Sequence, residues 1–364
     1  MQLPNHGANP QNVYGQLGLV MPTEVYDFSE NVNSAGPPPF VEARWRTFYP
    51  LIQRYPDPDG EPFLSKVATF HGVSKNTVLL GNGASELFSV LARRYENKRV
   101  IVIHPTFAEY ERTLKAANAE VVSVVVEDVM QYALPMDRLF SEMMDADALI
   151  ICTPNNPTGV LPQKRELMQL IAHGAKVQCE LIFDEAFIDW VSEDFSLIGS
   201  VAENPHVIVV RSMTKMYAIP GLRLGYLVSS PEIVATLKEM LPHWNLNALA
   251  LVLGAGCLDE KDYCTNAIAH ATIQRQWLQE FLTLHGCQVT NSVTNYVCFS
   301  LPQSNDPDDF FTYCLAKGVV LRHTKNFKGL DGKWFRVGMK DITTMSRLHG
   351  CLEEWFNTKK ARVR

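Results

Sequence analysis

The chain has 364 residues, too many for one small core and suited to two domains. Apolar residues make up 46% and charged residues 20%, the balance of a soluble globular protein. With 33 basic against 39 acidic side chains the net charge is -6, so no broad field favours nucleic acid or an anionic membrane, and a small molecule is the expected partner.

The first fifteen residues, MQLPNHGANPQNVYG, hold no basic segment followed by an apolar run; no secretory signal is expected, and the location is expected to be cytoplasmic. Residues 1–40, rich in Asn, Gly and Pro, read as an extended arm. From residue 76 onward, short β-branched runs alternate with segments of helical period, the pattern of a mainly parallel sheet with crossover helices. The strand candidates are NTVLL (76–80), RVIVI (99–103), EVVSVVV (120–126), ALIIC (148–152), ELIFD (180–184), HVIVV (206–210) and LGYLVS (224–229). The link TKMYAIPGLR between the last two is too short for a helical crossover, so the last strand is expected to run antiparallel. Residues 41–241 are thus read as a large domain around a seven-stranded sheet, and residues 242–364 as a smaller α+β domain. Within the latter, ALALVLGAGCL (248–258) is too short to span a bilayer. The eight cysteines form no C-x-x-C pair and have no neighbouring His pair, which argues against a metal site and for reduced core thiols.

In open parallel sheets, ligands bind beyond the carboxyl ends of the strands, and those ends are where the informative residues fall. After VLL comes GNGASELF, where the amides of Gly83, Ala84 and Ser85 either cradle a phosphate or simply begin a helix. After VIVI, Phe107 either stacks on a planar ring or packs beneath a helix start. The rigid turn TPNNPTG aims Asn156 back at the sheet, and Asp184 leaves the next strand as a site carboxylate or a helix cap. RSMTKMYAIPGLRLGY then presents Ser212, Thr214, Lys215 and Arg223. Each piece has a bland reading, but one cofactor needs all of them together. Pyridoxal 5'-phosphate requires an amine for its aldehyde (Lys215), a carboxylate for its pyridine nitrogen (Asp184) and a donor to its ring oxygen (Asn156). It also needs a stacking ring (Phe107) and phosphate donors (Ser212, Thr214, Arg223 and the 83–85 amides).

NNPTG, DEAF and SMTKMYAIPGLRLGY stand in an order and spacing that resembles the fold-type I pyridoxal-phosphate enzymes related to aspartate aminotransferase, over nearly the whole chain. The resemblance implies that family's transferase fold and a homodimer with shared active sites, Tyr55 of RYPD reaching the neighbouring subunit's cofactor phosphate. Within the family, HGAN, DFSENVN, DEAFIDW and KMYAIPGLRLGYLVSS look more like the threonine-phosphate decarboxylases of cobalamin biosynthesis than the histidinol-phosphate aminotransferases. Phe187 stands where those aminotransferases usually carry a tyrosine that donates to the cofactor's ring oxygen. The substrate implied is a phosphorylated amino acid, whose two anionic groups call for two bidentate cations. By resemblance Arg336 takes the carboxylate, and Arg322 with His6 and Asn31 of the arm takes the phosphate. The expected reaction is decarboxylation of L-threonine O-3-phosphate. Histidinol-phosphate transamination, decarboxylation of O-phosphoserine, and a catalytically silent regulator on the same fold are the alternatives. Two departures from the decarboxylase pattern stand out: Ala8 where a second glycine is expected, and Ala84 where relatives often carry a polar residue.

Overall fold

The computed structural model describes residues 3, 4 and 6–363 of the chain. A short strand in the arm, β1 (Tyr26–Asp27), precedes the main sheet. That sheet contains β2 (Val78–Gly81), β3 (Arg99–His104), β4 (Glu120–Val125), β5 (Ala148–Cys152), β6 (Glu180–Asp184), β7 (Val207–Ser212) and β8 (Gly225–Val228), in the spatial order β2-β8-β7-β6-β5-β3-β4. All seven expected strands are there, with small shifts at their ends. β2 starts at Val78 because Lys75–Thr77 form a turn, and β7 continues to Ser212. β8 runs antiparallel to both neighbours, β2 and β7, as the short link requires; Pro220–Leu222 form a single helical turn within it.

The strands read as continuous apolar runs because helices cover both faces of the sheet. Every residue of β5 is buried. The helix Lys164–Val177 buries Leu167, Leu170, Ile171 and Gly174, spaced so that all four share one helical face. The chain moves outward from β3 to β4 in one direction and from β5 through β6 to β7 in the other. The reversal between β3 and β5 opens a crevice at their carboxyl ends, the place where such sheets bind ligands.

The second sheet, ordered β12-β13-β10-β9, is wholly antiparallel: β9 (Gln288–Val289), β10 (Tyr296–Ser300), β12 (Arg322–His323) and β13 (Trp334–Gly338). Its core is aromatic, Phe310 lying 5.2 Å from Phe335 and 5.3 Å from Trp355 between ring centroids. The register sets Arg322 directly opposite Arg336. The apolar run at 248–258 forms a buried helix, Ala248–Cys257, whose Leu253 packs with Val41 and Phe48, residues from the other side of the boundary expected at 241.

The arm is less extended than its composition suggests. Pro10 occupies the first turn of a helix, Pro10–Leu17, where its missing N–H costs nothing, and buried Val13 and Tyr14 anchor that helix. The Tyr14 hydroxyl donates to Leu315 O at 2.7 Å. β1 then pairs in parallel with β11 (Val319–Val320), which ties the arm to the smaller sheet. The eight cysteines are free thiols and seven are buried. Among the described residues no helix is long and apolar enough to cross a membrane.

Candidate active site

A cavity of about 310 Å³ opens beyond the carboxyl ends of β5, β6 and β7, beneath the arm. Lys215, Asp184, Asn156, Phe107 and Phe187 line it, together with Ala84, Ser85, Ser212, Thr214 and Arg223. His6 and Asn31 of the arm and Arg336 of the smaller sheet line it too. Side chains from segments more than 300 residues apart in sequence thus meet in one chamber.

Asp184 is the last residue of β6, in register with Cys152 and Val210 of its neighbours. The strand end is pinned from behind. Glu185 N–H donates to Val210 O at 2.8 Å, and the buried Arg211 guanidinium lies 3.5 Å from the Glu185 carboxylate, 3.1 Å from Asp189 and 2.5 Å from Glu193. Breaking such a buried cluster is costly, which keeps Asp184 and Ser212 in place. Asp184 itself accepts hydrogen bonds from the Tyr110 hydroxyl and, at 3.0 Å, from Ala186 N–H. Burial pushes its carboxyl up to about 6, while these two donors and nearby Lys215 pull the other way, so it is largely ionised at neutral pH.

Lys215 sits three residues past the end of β7 and is half-buried. Burial, then the guanidinium groups of Arg336 and Arg223, pull its ammonium down to about 8, which makes a sizeable neutral, nucleophilic fraction available near neutrality. Beside it, the hydroxyls of Ser212 and Thr214 lie 2.8 Å apart. The helix Ala84–Arg94 begins at this end of the chamber, and the unpaired N–H groups of its first turn favour an anion. Gly83 does not line the cavity. Its φ of 79° and the 2.5 Å that would separate an added Cβ from Arg223 Nη2 show why glycine stands there: it lets the guanidinium close over the helix start.

Arg336 is buried, and among the described residues no carboxylate lies within ion-pair distance of it. Its Nη1 donates to Asn156 Oδ1 and its Nη2 to Ser29 O, both at 2.6 Å, while Nε is buried with no hydrogen-bond partner. A buried cation of this kind needs an anion to offset its desolvation. At the arm end, buried Asn31 also has an Oδ1 without a partner, and His6 lies 3.0 Å from Glu109.

Ala8 adopts φ 64°, the left-handed conformation that glycine takes at little cost, which gives the HGAN departure a structural meaning. Next to it, Gly7 lies so close to the arm that an added Cβ would be 2.2 Å from Ser29 O. Ala8→Gly is expected to stabilise the protein by about 0.5–1 kcal/mol by relieving the left-handed strain, partly offset by the entropy of an added glycine. Denaturant titration of the two proteins checks this.

Two more of the expected residues lie outside the chamber. Tyr55 is 83% exposed, its ring 5.1 Å from that of Trp244. Arg322 is buried but does not line the cavity; its Nη1 donates to His323 O at 2.6 Å, its Nη2 to Asn326 Oδ1 at 2.7 Å, and it lies over Phe327. Burial first, and then the guanidinium of Arg336 directly opposite it, lower the proton affinity of Arg322. Sequence reasoning missed Tyr110, the partner of Asp184. The signal was present in FAEY, since Tyr110 lies three residues after Phe107 on one helical face, 5.7 Å between ring centroids.

Residues 23–350 match the family of aminotransferases class I and II. The chain belongs to that family. It is 33% identical to a threonine-phosphate decarboxylase of Salmonella typhimurium over 351 residues, 95% of each chain. Among solved structures, a histidinol-phosphate aminotransferase from Clostridium acetobutylicum superposes with a TM-score of 0.86 at 26% identity, over 91% of this chain and 99% of that one. An L-threonine-O-3-phosphate decarboxylase from Porphyromonas gingivalis gives 0.78 at 24% identity, again over 91% and 99%. The fold-type I expectation, with its one antiparallel strand, is borne out. The donor set also fits pyridoxal phosphate: a neutralisable lysine, a buried ionised carboxylate, and hydroxyls, amides and a guanidinium around one helix start.

Proposed function

We propose that the chain decarboxylates L-threonine O-3-phosphate to (R)-1-aminopropan-2-yl phosphate and CO2 in cobalamin biosynthesis. The observation that carries this reading is Arg336, a buried guanidinium facing the cavity without a carboxylate partner among the described residues, beside the turn that carries Lys215. It supports a substrate with an α-carboxylate. Asn31 and His6 supply a polar second end for the phosphate, and the near-full-length similarity to a threonine-phosphate decarboxylase supports both assignments.

In this reading Lys215 would bind the aldehyde of pyridoxal phosphate, Asp184 would keep the pyridine nitrogen protonated, and Asn156 would donate to the ring oxygen. Phe107 would stack on the ring, and Ser212, Thr214, Arg223 and the amides of Gly83, Ala84 and Ser85 would hold the phosphate. Bound there, the cofactor would supply an electron sink for the bond broken at the substrate α-carbon. Arg336 grips the carboxylate and the arm grips the phosphate, with Arg322 as a second cation behind Arg336. This two-point hold decides which bond at the α-carbon is broken. Lys215 then delivers a proton to that carbon.

Phe187 supports decarboxylation over transamination. It lines the cavity, 4.9 Å from the Tyr296 ring, and offers no hydroxyl. Phe187→Tyr should restore a donor to the ring oxygen, stabilise its deprotonated form, and lower the pH midpoint of the loaded enzyme's visible band by about 0.4–1 unit. An unmoved midpoint would place residue 187 away from that oxygen.

The reading includes a homodimer. Tyr55, Trp45, Tyr49, Ile52 and Trp244 are all exposed on the single chain, an apolar set of the kind an interface covers. It also divides the chain into an arm (1–40), a large domain (41–241) and a small domain (242–364), and places the enzyme in the cytoplasm. The higher TM-score of a histidinol-phosphate aminotransferase favours that activity as the second reading. Parallel assays with O-phosphothreonine, O-phosphoserine, and histidinol phosphate plus 2-oxoglutarate decide between them. CO2 without glutamate from a phosphoamino acid supports the proposal, and the preferred phosphoamino acid names the substrate; glutamate from histidinol phosphate without CO2 overturns it.

A further inference from the structure

Residues 26–36 of the arm are bonded to both halves of the molecule. Towards the smaller sheet, Gly338 N–H donates to Phe28 O at 2.9 Å, Arg336 to Ser29 O at 2.6 Å and Asn295 Nδ2 to Asn31 O at 2.9 Å. Towards the lysine, Asn33 N–H donates to the carbonyl of Lys215 itself at 3.0 Å, and Asn33 Nδ2 donates to Met216 O at 3.0 Å. The Tyr263 hydroxyl braces this joint: it accepts from Asn33 Nδ2 at 2.9 Å and donates to Gly36 O at 2.5 Å. Asn33 is buried.

Asn31, two residues earlier, lines the cavity, and the Nδ2 of its side-chain amide is the end that can donate to an anion. Ser29, two residues before that, accepts at its Oγ from Ala8 N–H at 2.9 Å, in the turn that carries His6. The groups at the arm end of the cavity and the carbonyl of the reactive lysine therefore hang on one short covalent segment.

We propose that Asn33 is a positioning residue that couples occupancy of the arm end of the cavity to the placement of Lys215, so that the substrate phosphate contributes to turnover as well as to binding. Interactions remote from the reacting bond raise turnover when they are realised in the transition state, and a joint at the lysine backbone provides the route. The proposal rests on the functional reading above, in which Lys215 carries the cofactor and the arm receives the phosphate.

The test uses cofactor-loaded wild type, Asn33→Ala and Tyr263→Phe, with O-phosphothreonine, with L-threonine, and with L-threonine plus inorganic phosphate. In the wild type, inorganic phosphate should accelerate CO2 release from L-threonine about tenfold or more and shift the visible band's pH midpoint. In Asn33→Ala, which keeps the main-chain bond to Lys215 but loses the buried side-chain bonds to Met216 and Tyr263, kcat on O-phosphothreonine should fall about five- to tenfold with KM changed less than about threefold, and both phosphate responses should weaken several-fold. Tyr263→Phe should move all of these in the same direction by less, and serves if Asn33→Ala does not fold. A merely structural Asn33 would lower cofactor content and thermal stability while leaving the phosphate responses intact, which overturns the proposal. A wild type that turns over O-phosphothreonine but ignores inorganic phosphate also overturns it. No turnover of O-phosphothreonine at all removes the functional reading, and the coupling with it.

Discussion

Lys215→Ala is expected to fold, bind no chromophore that survives gel filtration, and lose about 10²–10⁴-fold or more in turnover. The size of the effect follows from two roles falling on one amine. In the proposed reading it would hold the cofactor aldehyde and would also move a proton at the α-carbon. Burial and two guanidinium groups bring this lysine down to about 8, so its neutral form is available where an exposed lysine would be almost wholly charged. Borohydride should fix the cofactor to the wild-type chain and leave the variant unlabelled. A variant to which borohydride still fixes the cofactor covalently would assign the attachment to another residue.

Arg336→Lys is the second large effect. The guanidinium divides its donors between Asn156, Ser29 and the cavity, a fork that an ammonium cannot reproduce. Losing hydrogen bonds to a charged carboxylate should lower kcat/KM for the phosphoamino acid about 10²–10⁴-fold. The reaction product has no carboxylate. It should therefore inhibit Arg336→Lys and the wild type with constants within about threefold of each other. If product binding weakens as much as substrate turnover, Arg336 organises the arm and Asn156 and does not grip the carboxylate.

Much of this site is legible in the sequence because its parts sit at strand ends, and strand ends are marked by the transition from an apolar run to Gly, Pro, Asn or Asp. Asp184, Lys215 and Asn156 each follow such a run, and the parallel register of β5, β6 and β7 sets the ends of those strands side by side. The antiparallel β8 is legible for a similarly local reason, a link too short for a helical crossover. What stays hidden depends on contacts between segments far apart in the chain. Tyr110 meets Asp184 across 74 residues, Asn33 meets Met216 across 183, and Arg336 meets Ser29 across 307. No local pattern marks those partners. The helix Pro10–Leu17 is concealed by composition: a Pro- and Asn-rich segment reads as extended until Val13 and Tyr14 find a surface to bury against. Arg322 lies one strand behind the cavity wall, a placement set by the pairing of β12 with β13 that its sequence context does not reveal.

The central claim is that the two-point hold on carboxylate and phosphate directs this family's chemistry to the bond between the α-carbon and the carboxylate. The most direct test incubates the loaded enzyme with excess O-phosphothreonine, without any 2-oxo acid, and counts CO2 per active site. The account predicts many turnovers, with aminopropanol phosphate formed mole for mole and the visible spectrum returning to its starting form. No CO2, with the visible band bleached after a single amino transfer, would contradict it.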